Sequence, residues 1–569
     1  MKAYARAAGH ARELLAKATG EPAGSTEVTQ PRGGHGDLAT PIAFSIAKKQ
    51  GADPTQVAQN IAGSIAASMP DAFFDKCEPA AGYVNFFFSD ALRSMTLSQA
   101  LQPDYAKGGE GQGRTFVLEY SQPNVGKPFH VGHIRSTILG DSIANFLEAR
   151  GWMVKRINYL GDAGTQVAKL VLASREFKDL PPMKDERAML QYYVRVHKEI
   201  EEKPELALKA QEILSAIESG DEATLNEVLF IRAKSYEAFQ RNYDLLGVRF
   251  DDVLGESEFI GRAKEIAAEA VEKKAAFKDD KTDALVADLE PQGLPNTILL
   301  RSNGTTLYFT RDMALADWKW GKYEFDESLV TTATEQNTYF RQVIAFLKML
   351  GRDYASRYKH MGFGLVTLQG EKMSTREGRV VLMEDVLNEA IEEVKKELAG
   401  REHDYPASEE DEIARTVGIG SVKFAFLRVG NSKNISFNPT AAVRFDGDTG
   451  AYLQYTAVRG RNILRKAGID ADKLKAPARS DFDEYEKKVV HALAYFPQSV
   501  ANSARNFEPH VTADYLLKLA AAFSEFYEKC PVATAQEPDK SKRLAITAAT
   551  ANVIESGLAL LGIQVPARM

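Results

Sequence analysis

Apolar and polar positions follow two rhythms along this chain. Phe116-Val117-Leu118 is a short apolar run that predicts a buried strand. From Ile134 onward the spacing turns helical, with Ile138, Ile143, Phe146 and Leu147 on one face and Gly151 as the stop. A tight segment with proline and glycine, 124–132, lies between the two. A second strand is expected over 152–160, and Gly161-Asp162-Ala163-Gly164 opens another helix. Strands over 297–300, 305–310 and 328–331 continue the alternation, which implies a parallel sheet with its site at the strand C-termini. Between about 175 and 278 the strand-like runs disappear. The long charged runs 192–219 and 221–246 predict a helical insertion packed on the sheet, its charges a solvated face.

The two ends read differently. A helix over 3–18 is followed by a glycine-, proline- and threonine-rich loop over 20–36. A second helix is expected to start within Gly36-Asp37-Leu38-Ala39-Thr40, and a third at Asp53-Pro54-Thr55, with Asp53 as cap and Pro54 in the first turn. Residues 82–88 form a strand whose aromatics suit core packing. From about 409 to 569 the pattern is helical, without strand-like alternation. There Tyr452 and Tyr455, three apart, share a helix face. Arg459, Arg461, Arg465 and Lys466 follow with no acid until Asp470. Aromatics beside a basic cluster suit single-stranded bases and their phosphates. Half-buried tyrosines in a bundle with solvated arginines fit the same pattern. The expected architecture is multidomain α/β. It has an N-terminal α+β domain (1–112), a Rossmann-type parallel-sheet domain with helical insertion (113–405; insertion about 175–278), and a C-terminal all-α bundle (406–569).

Composition narrows the class without choosing a chemistry. A chain of 569 residues should divide into about three or four domains. With 44% hydrophobic and 26% charged residues it reads as an ordinary soluble protein. Cys77 and Cys530 are too few for a disulfide framework or a cysteine-rich zinc site, so a reducing compartment fits. Lys2, Arg6, Arg12 and Glu13 interrupt any secretory signal, and no uncharged apolar run reaches membrane length. A net charge of −7 argues mildly against a non-specific nucleic-acid binder; a specific enzyme needs only local basic surface.

Chemistry concentrates at His130-Val131-Gly132-His133, at the start of the predicted helix. Such an end carries unpaired N–H groups and partial positive charge, which suits an anion. Two imidazoles can donate to a phosphorus centre as charge develops, and Gly132 leaves backbone bare for a flat base. Alone, the two histidines also fit metal ligands or surface groups. A second signal, Glu371-Lys372-Met373-Ser374-Thr375-Arg376-Glu377-Gly378, follows the strand-like run 364–368. A loop with lysine, serine and threonine can close over a triphosphate and offset its charge.

Together, HVGH and KMSTR resemble the two signatures of class I aminoacyl-tRNA synthetases. The longer stretch SQPNVGKPFHVGHIRSTILGD is similar to the arginyl-tRNA synthetase form, and the resemblance extends over nearly the whole length. It implies ATP-dependent attachment of L-arginine to tRNA(Arg) through an arginyl-adenylate. Transfer is to the 2′-hydroxyl of the terminal adenosine, and activation requires bound tRNA. It implies ATP contacts at His130, Gly132, His133, Lys372, Met373 and Ser374, with Mg2+ on the phosphates and no dedicated protein metal site. Arginine would be bound by Glu119, Asn124, Tyr308, Asp312 and Gln336. The chemistry supports this, since a guanidinium has donors only and demands carboxylates. Asp312 and Glu119 would take the guanidinium, Asn124 and Gln336 the amino-acid end. Gln122 departs from the family's usual serine, which alters contacts to the α-amino group or to water there. Tyr339 stands where histidine is frequent, and no consequence is expected. The resemblance makes 1–112 the tRNA-elbow domain, with an HGD pattern at His35-Gly36-Asp37. It makes Tyr452, Tyr455, Tyr527 and Met569 anticodon contacts. A monomer in the cytoplasm is expected. A smaller adenylyl- or cytidylyltransferase would leave both terminal regions without a purpose. Intact His130, His133 and Lys372 argue against a paralogue without catalysis.

Thr375 replaces the second lysine that many class I synthetases carry in this loop. The nearest cation in sequence to the first signature is Lys127, its backbone restricted by Pro128. In arginyl synthetases with this loop variant, such a lysine is thought to supply the missing charge. Lys127→Ala should therefore cripple adenylate formation about as badly as Lys372→Ala, with folding and tRNA binding retained, and adding Thr375→Lys should recover part of it. Near-normal pyrophosphate exchange by Lys127→Ala at saturating ATP and tRNA would remove the role.

Overall fold

The computed structural model describes residues 2–31, 35–368, 381–400, 406–470, 473–477 and 481–569. In the N-terminal domain, α1 (Ala3–Thr19), α2 (Ile42–Gln50) and α3 (Pro54–Ala66) pack on an antiparallel sheet ordered β1-β3-β2. Its strands are β1 (Leu38–Thr40), β2 (Phe74–Ala80) and β3 (Tyr83–Phe88), and α4 (Asp90–Ala100) closes the domain. The side chain of Asp53 caps α3 by accepting from the Thr55 amide, as its sequence predicts. The helix expected to start at Gly36–Thr40 is instead strand β1, paired Leu38↔Phe86. Pro41 explains the difference: it forces extended backbone on the residue before it, and the helix starts one residue later.

The central sheet is parallel throughout, ordered β11-β10-β4-β5-β6. Its first members are β4 (Thr115–Glu119), α5 (Val131–Ala149) and β5 (Met153–Leu160). Then come α6 (Thr165–Glu176), α7 (Glu186–Glu202), α8 (Glu205–Ser219), α9 (Glu222–Leu246) and the edge strand β6 (Asp252–Gly255). After α10 (Ile260–Glu272), a separate antiparallel sheet forms from β7 (Ala276–Lys278), β8 (Leu285–Ala287) and β9 (Thr297–Leu300). Next are α11 (Tyr308–Tyr323), β10 (Glu327–Ala333), α12 (Asn337–Met349), β11 (Tyr358–Phe363) and β12 (Val366–Leu368). Neighbouring residues of β4 enter different cores. Phe116 and Leu118 pack on the side of α5, and Val117 packs among α10, α11 and α12. This is the mark of a strand buried on both faces.

Four sequence expectations change here. Strands do not vanish over 175–278, because β6 lies inside that span as the sheet edge; at four residues, half of them polar or glycine, it carries no apolar run. The helical run 192–219 breaks at Lys203-Pro204, where α8 begins. Residues 297–300 form a strand of the small antiparallel sheet, since periodicity does not reveal which sheet a strand joins. The run 305–310 is no strand: α11 starts at Tyr308, and its apolar spacing Phe309, Met313, Ala316 is helical.

The remainder is α13 (Met383–Ala399), α14 (Ala407–Leu427), β13 (Ile435–Phe437), α15 (Pro439–Ala442), α16 (Gly450–Lys466), α17 (Glu484–Asn506), α18 (His510–Lys529) and α19 (Asp539–Leu560). β13 is a strand where none was expected, and it pairs in parallel with β12. Among the described residues no helix is long and apolar enough to cross a membrane.

Buried polar groups fix the domains to one another. Arg135 on α5 donates to the carbonyls of Gly364, Lys433 (2.7 Å), Asn431 (2.9 Å) and Gly430 (3.3 Å). Lys423 on α14 donates to Leu246 O and Gly562 O, both at 2.5 Å. Asp37 lies 2.5 Å from His491 of α17, and Tyr495 donates to the Asp37 carbonyl at 2.6 Å. Arg135→Met should lower stability by roughly 3 kcal/mol or more, because it strands several buried carbonyls at once. An unchanged thermal unfolding midpoint would show that these carbonyls do not depend on it.

Candidate active site

The sequence places a histidine at the N-cap of α5, and the fold uses it as one. His130 Nδ1 accepts from the Gly132 amide (3.1 Å), and His133 Nδ1 accepts from the His130 amide (3.2 Å). The Val131 amide donates to Val381 O (3.3 Å) and the His133 amide to His130 O (2.8 Å). The expectation of unpaired amides at this helix end is thus overturned: the His130 cap and the Val381 carbonyl consume them. What remains for a ligand is the imidazoles themselves. With Nδ1 an acceptor in both, a neutral ring carries its proton on Nε2, so each histidine is an Nε2–H donor. The rings stack with centroids 3.9 Å apart. Burial pushes His130 down to about 4 and His133 well below its ordinary value, and the nearby Lys127 charge acts in the same direction. Both are neutral donors at physiological pH. A Cβ on Gly132 would stand 2.9 Å from the His130 ring, so the glycine makes room for the imidazole.

Lys127 sits in the tight segment, its amide bonded to Asn124 O at 3.1 Å and its Nζ 5.7 Å from the Tyr193 ring centre. Both ends of the second-signature segment are tied to α5. Arg135 holds Gly364, while Leu382 bridges His130 and the Met383 amide donates to Phe129 O (2.9 Å). Lys372, Met373, Ser374 and Thr375 lie outside the described residues.

A second cluster gathers at the C-terminal end of β4. Glu119 is buried and accepts from Lys319 of α11 and from the Gln122 amide group. Ser121 and Gln122 have φ of 76° and 53°, left-handed values that cost non-glycine residues about 1–3 kcal/mol each and cluster at functional sites. Asp312 accepts from Tyr339 at 2.5 Å. Burial raises it to about 7, and the Glu119 charge adds to the shift. Tyr339, for which no consequence was expected, reaches this carboxylate with its phenol from α12. Glu256 lies 2.9 Å from Arg311 and is raised by burial to about 8. The Tyr159 hydroxyl is buried with no hydrogen-bond partner among the described residues, and Glu256, Asp312 and Glu119 act on it electrostatically. Tyr308 is exposed at the start of α11, and Asn124 and Gln336 are exposed, Asn124 bridging Gly161.

Lys319, Tyr339, Glu256 and Tyr159 were not among the sequence candidates. Lys319 had a signal: it lies seven residues after Asp312, hence on the same helix face, where a lone charge among apolar neighbours asks for a partner.

The helical domain holds another group. Tyr452 shares a hydrogen bond with Ser524 (3.0 Å), Tyr455 packs edge-on against Phe445, and Arg459 lies 4.0 Å from the Tyr527 ring centre. Tyr452, Tyr455, Tyr527 and Met569 are all half-buried against the same core. In the N-terminal domain Phe86 and Phe88 are core residues, whereas Phe44 and Tyr83 form an exposed edge-on pair, centroids 5.2 Å apart. Among the described residues no group of three or more His, Cys, Asp or Glu could hold a metal ion.

A parallel sheet with a histidine pair capping the helix after its central strand suits nucleotide chemistry. Residues 96–438 match the family described as tRNA synthetases class I (R), catalytic domain. Residues 453–569 match the DALR anticodon binding domain, and 8–88 the arginyl tRNA synthetase N-terminal domain. The arginine–tRNA ligase of Pediococcus pentosaceus is 36% identical over 541 residues, 94% of each chain, and that of Clostridioides difficile is 34% identical over 540 residues. The arginyl-tRNA synthetase of Thermus thermophilus superposes with a TM-score of 0.81 at 28% identity, covering 98% of this chain and 99% of that one. A methionyl-tRNA synthetase of Mycobacterium tuberculosis, at 13% identity and TM-score 0.52, shares the fold only. The chain belongs to the arginine–tRNA ligase family.

His130→Ala or His133→Ala should each slow amino-acid activation by about 10²–10³ while leaving arginine affinity nearly unchanged, the usual loss of one transition-state donor. Because neither ring titrates near neutrality, the histidines should add no inflection to the rate between pH 6 and 8. Weakened arginine binding with an intact rate would place them elsewhere in the mechanism.

Proposed function

We propose that this chain charges tRNA(Arg) with L-arginine through an arginyl-adenylate. The observation that carries the reading is that β4 ends in a buried carboxylate, Glu119, and the helix that follows it, α5, starts with two neutral Nε2–H donors. The substrate carboxylate attacks the α-phosphorus of ATP and pyrophosphate leaves, so no side chain forms a covalent bond; the enzyme positions and stabilises charge. His130 and His133 donate to the phosphate oxygens as charge grows. Lys127 and Lys372 offset the charge of the triphosphate, and Met373 and Ser374 line the nucleotide. Magnesium travels with the ATP phosphates. Asp312 and Glu119 take the guanidinium with Tyr308 beside it, while Asn124 and Gln336 address the amino-acid end. The 2′-hydroxyl of the terminal adenosine then accepts the arginyl group.

The tRNA is held at two further places. Tyr452, Tyr455, Tyr527 and Met569 meet the anticodon. The exposed Phe44–Tyr83 pair gives the N-terminal domain a π-surface for a base of the elbow.

Charging of total tRNA against a panel of labelled amino acids tests the reading: arginine alone should be incorporated, and incorporation of another residue, or none, would overturn it. Asp312→Asn should weaken arginine by about 3–5 kcal/mol, the cost of leaving a buried charge unmatched, with ATP little affected. An unchanged Michaelis constant for arginine would move the pocket.

A further inference from the structure

Three carboxylates meet in the proposed arginine pocket: Glu119 from β4, Asp312 from α11, and Glu256 just after β6. Two have resident cations. Wholly buried Lys319 holds Glu119, and Arg311 lies 2.9 Å from Glu256. Asp312 differs. Its hydrogen bond among the described residues comes from a neutral group, the Tyr339 phenol at 2.5 Å.

The charged surroundings of Asp312 are fully furnished. Arg311 and Lys319 share its own helix, and Glu119 opposes it across the pocket. The Tyr159 hydroxyl, without a hydrogen-bond partner among the described residues, approaches from β5, and Tyr358 from β11 engages Lys319 at 3.2 Å. On the flanks, Glu218 is held by Thr306 (3.1 Å) and lies 3.6 Å from Arg311, and Asp162 lies 3.2 Å from Arg232. Lys319 and Arg311 act on Asp312 electrostatically, but among the described residues no cation forms an ion pair with it.

We propose that Tyr339 is a positioning residue for arginine recognition: it holds Asp312, whose carboxylate carries a proton in the empty pocket, and arginine binds with release of that proton to solvent. This deepens the reading of the pocket as the arginine site and rests on it. The phenol donates to Oδ2, which leaves Oδ1 for the proton and then for the guanidinium. Burial and the facing Glu119 both favour the protonated form, while the Tyr339 hydrogen bond opposes it.

Calorimetric titration of the full chain with L-arginine, in phosphate and in Tris, reads the proton directly. With a group titrating at about 7, most of one proton should be released at pH 6.5 and little at pH 8.0, and affinity should rise roughly fourfold between them. Tyr339→Phe removes a donor that favours the ionised carboxylate. Its inflection should move to higher pH, so that affinity is lost at pH 7 and largely regained by pH 8.5; Tyr339→His, again a donor, should restore the lower inflection. Heats independent of buffer in the unaltered protein would overturn the proposal. So would a Tyr339→Phe variant weakened equally at every pH, the mark of a purely structural role. Absence of arginine binding at any pH would instead strike the proposed function.

Discussion

A buried guanidinium whose partners among the described residues are backbone carbonyls organises this molecule. Arg135 stands two residues after His133 on α5, and its charge is dispersed over four backbone carbonyls from two loops. Burial lowers it to about 10, so it stays charged throughout the physiological range. A carboxylate could be satisfied by one rotamer of one side chain. Four carbonyls require two loop conformations to be right at once, so the interaction selects backbone shape rather than a partner residue. One loop leads into β12 and the second signature, and the other leads into β13 and the helical domain. The tight packing at Gly364, where a Cβ would strike Lys433 O, belongs to the same knot. The catalytic helix is thereby fixed in relation to both segments that must meet the substrates.

The two halves of the site respond to pH in opposite senses. His130 and His133 are held below their unfolded value of about 6.5, so the unfolded chain binds more protons as pH falls from there towards 4. Their contribution to stability is present above that window and is lost within it. Asp312 is raised from 3.8 to about 7, so the folded chain binds more protons between those values and its contribution falls as pH rises.

Much of this architecture was legible because long apolar runs and caps obey local rules. β4, α5, β5, β10 and the Asp53 cap all stood where their spacing put them. What escaped was short or depended on distant partners. β6, with four residues, and β13, with three, gain their identity from neighbouring strands, and the three residues of β1 were read as the start of a helix. The same holds at the site. His130 and His133 were visible as a motif, but the consumption of the helix amides depends on Val381, some 250 residues away in the chain. The Tyr339–Asp312 bond joins two helices across a strand, and residue identity alone gave no hint of it.

The N-terminal domain is seated on α17 of the helical bundle. Asp37 meets His491, Tyr4 packs on Tyr495 with ring centres 4.5 Å apart, and Tyr105 donates to Leu493 O at 3.0 Å. The aspartate of the HGD pattern is spent on this seam rather than offered to a ligand. A seam this buried sets the distance between the surfaces proposed for the elbow and for the anticodon, as the opening of a caliper is set. Under that proposal the pair would gauge length, and a tRNA whose arm is a base pair too long would fit poorly even with every contacted base correct.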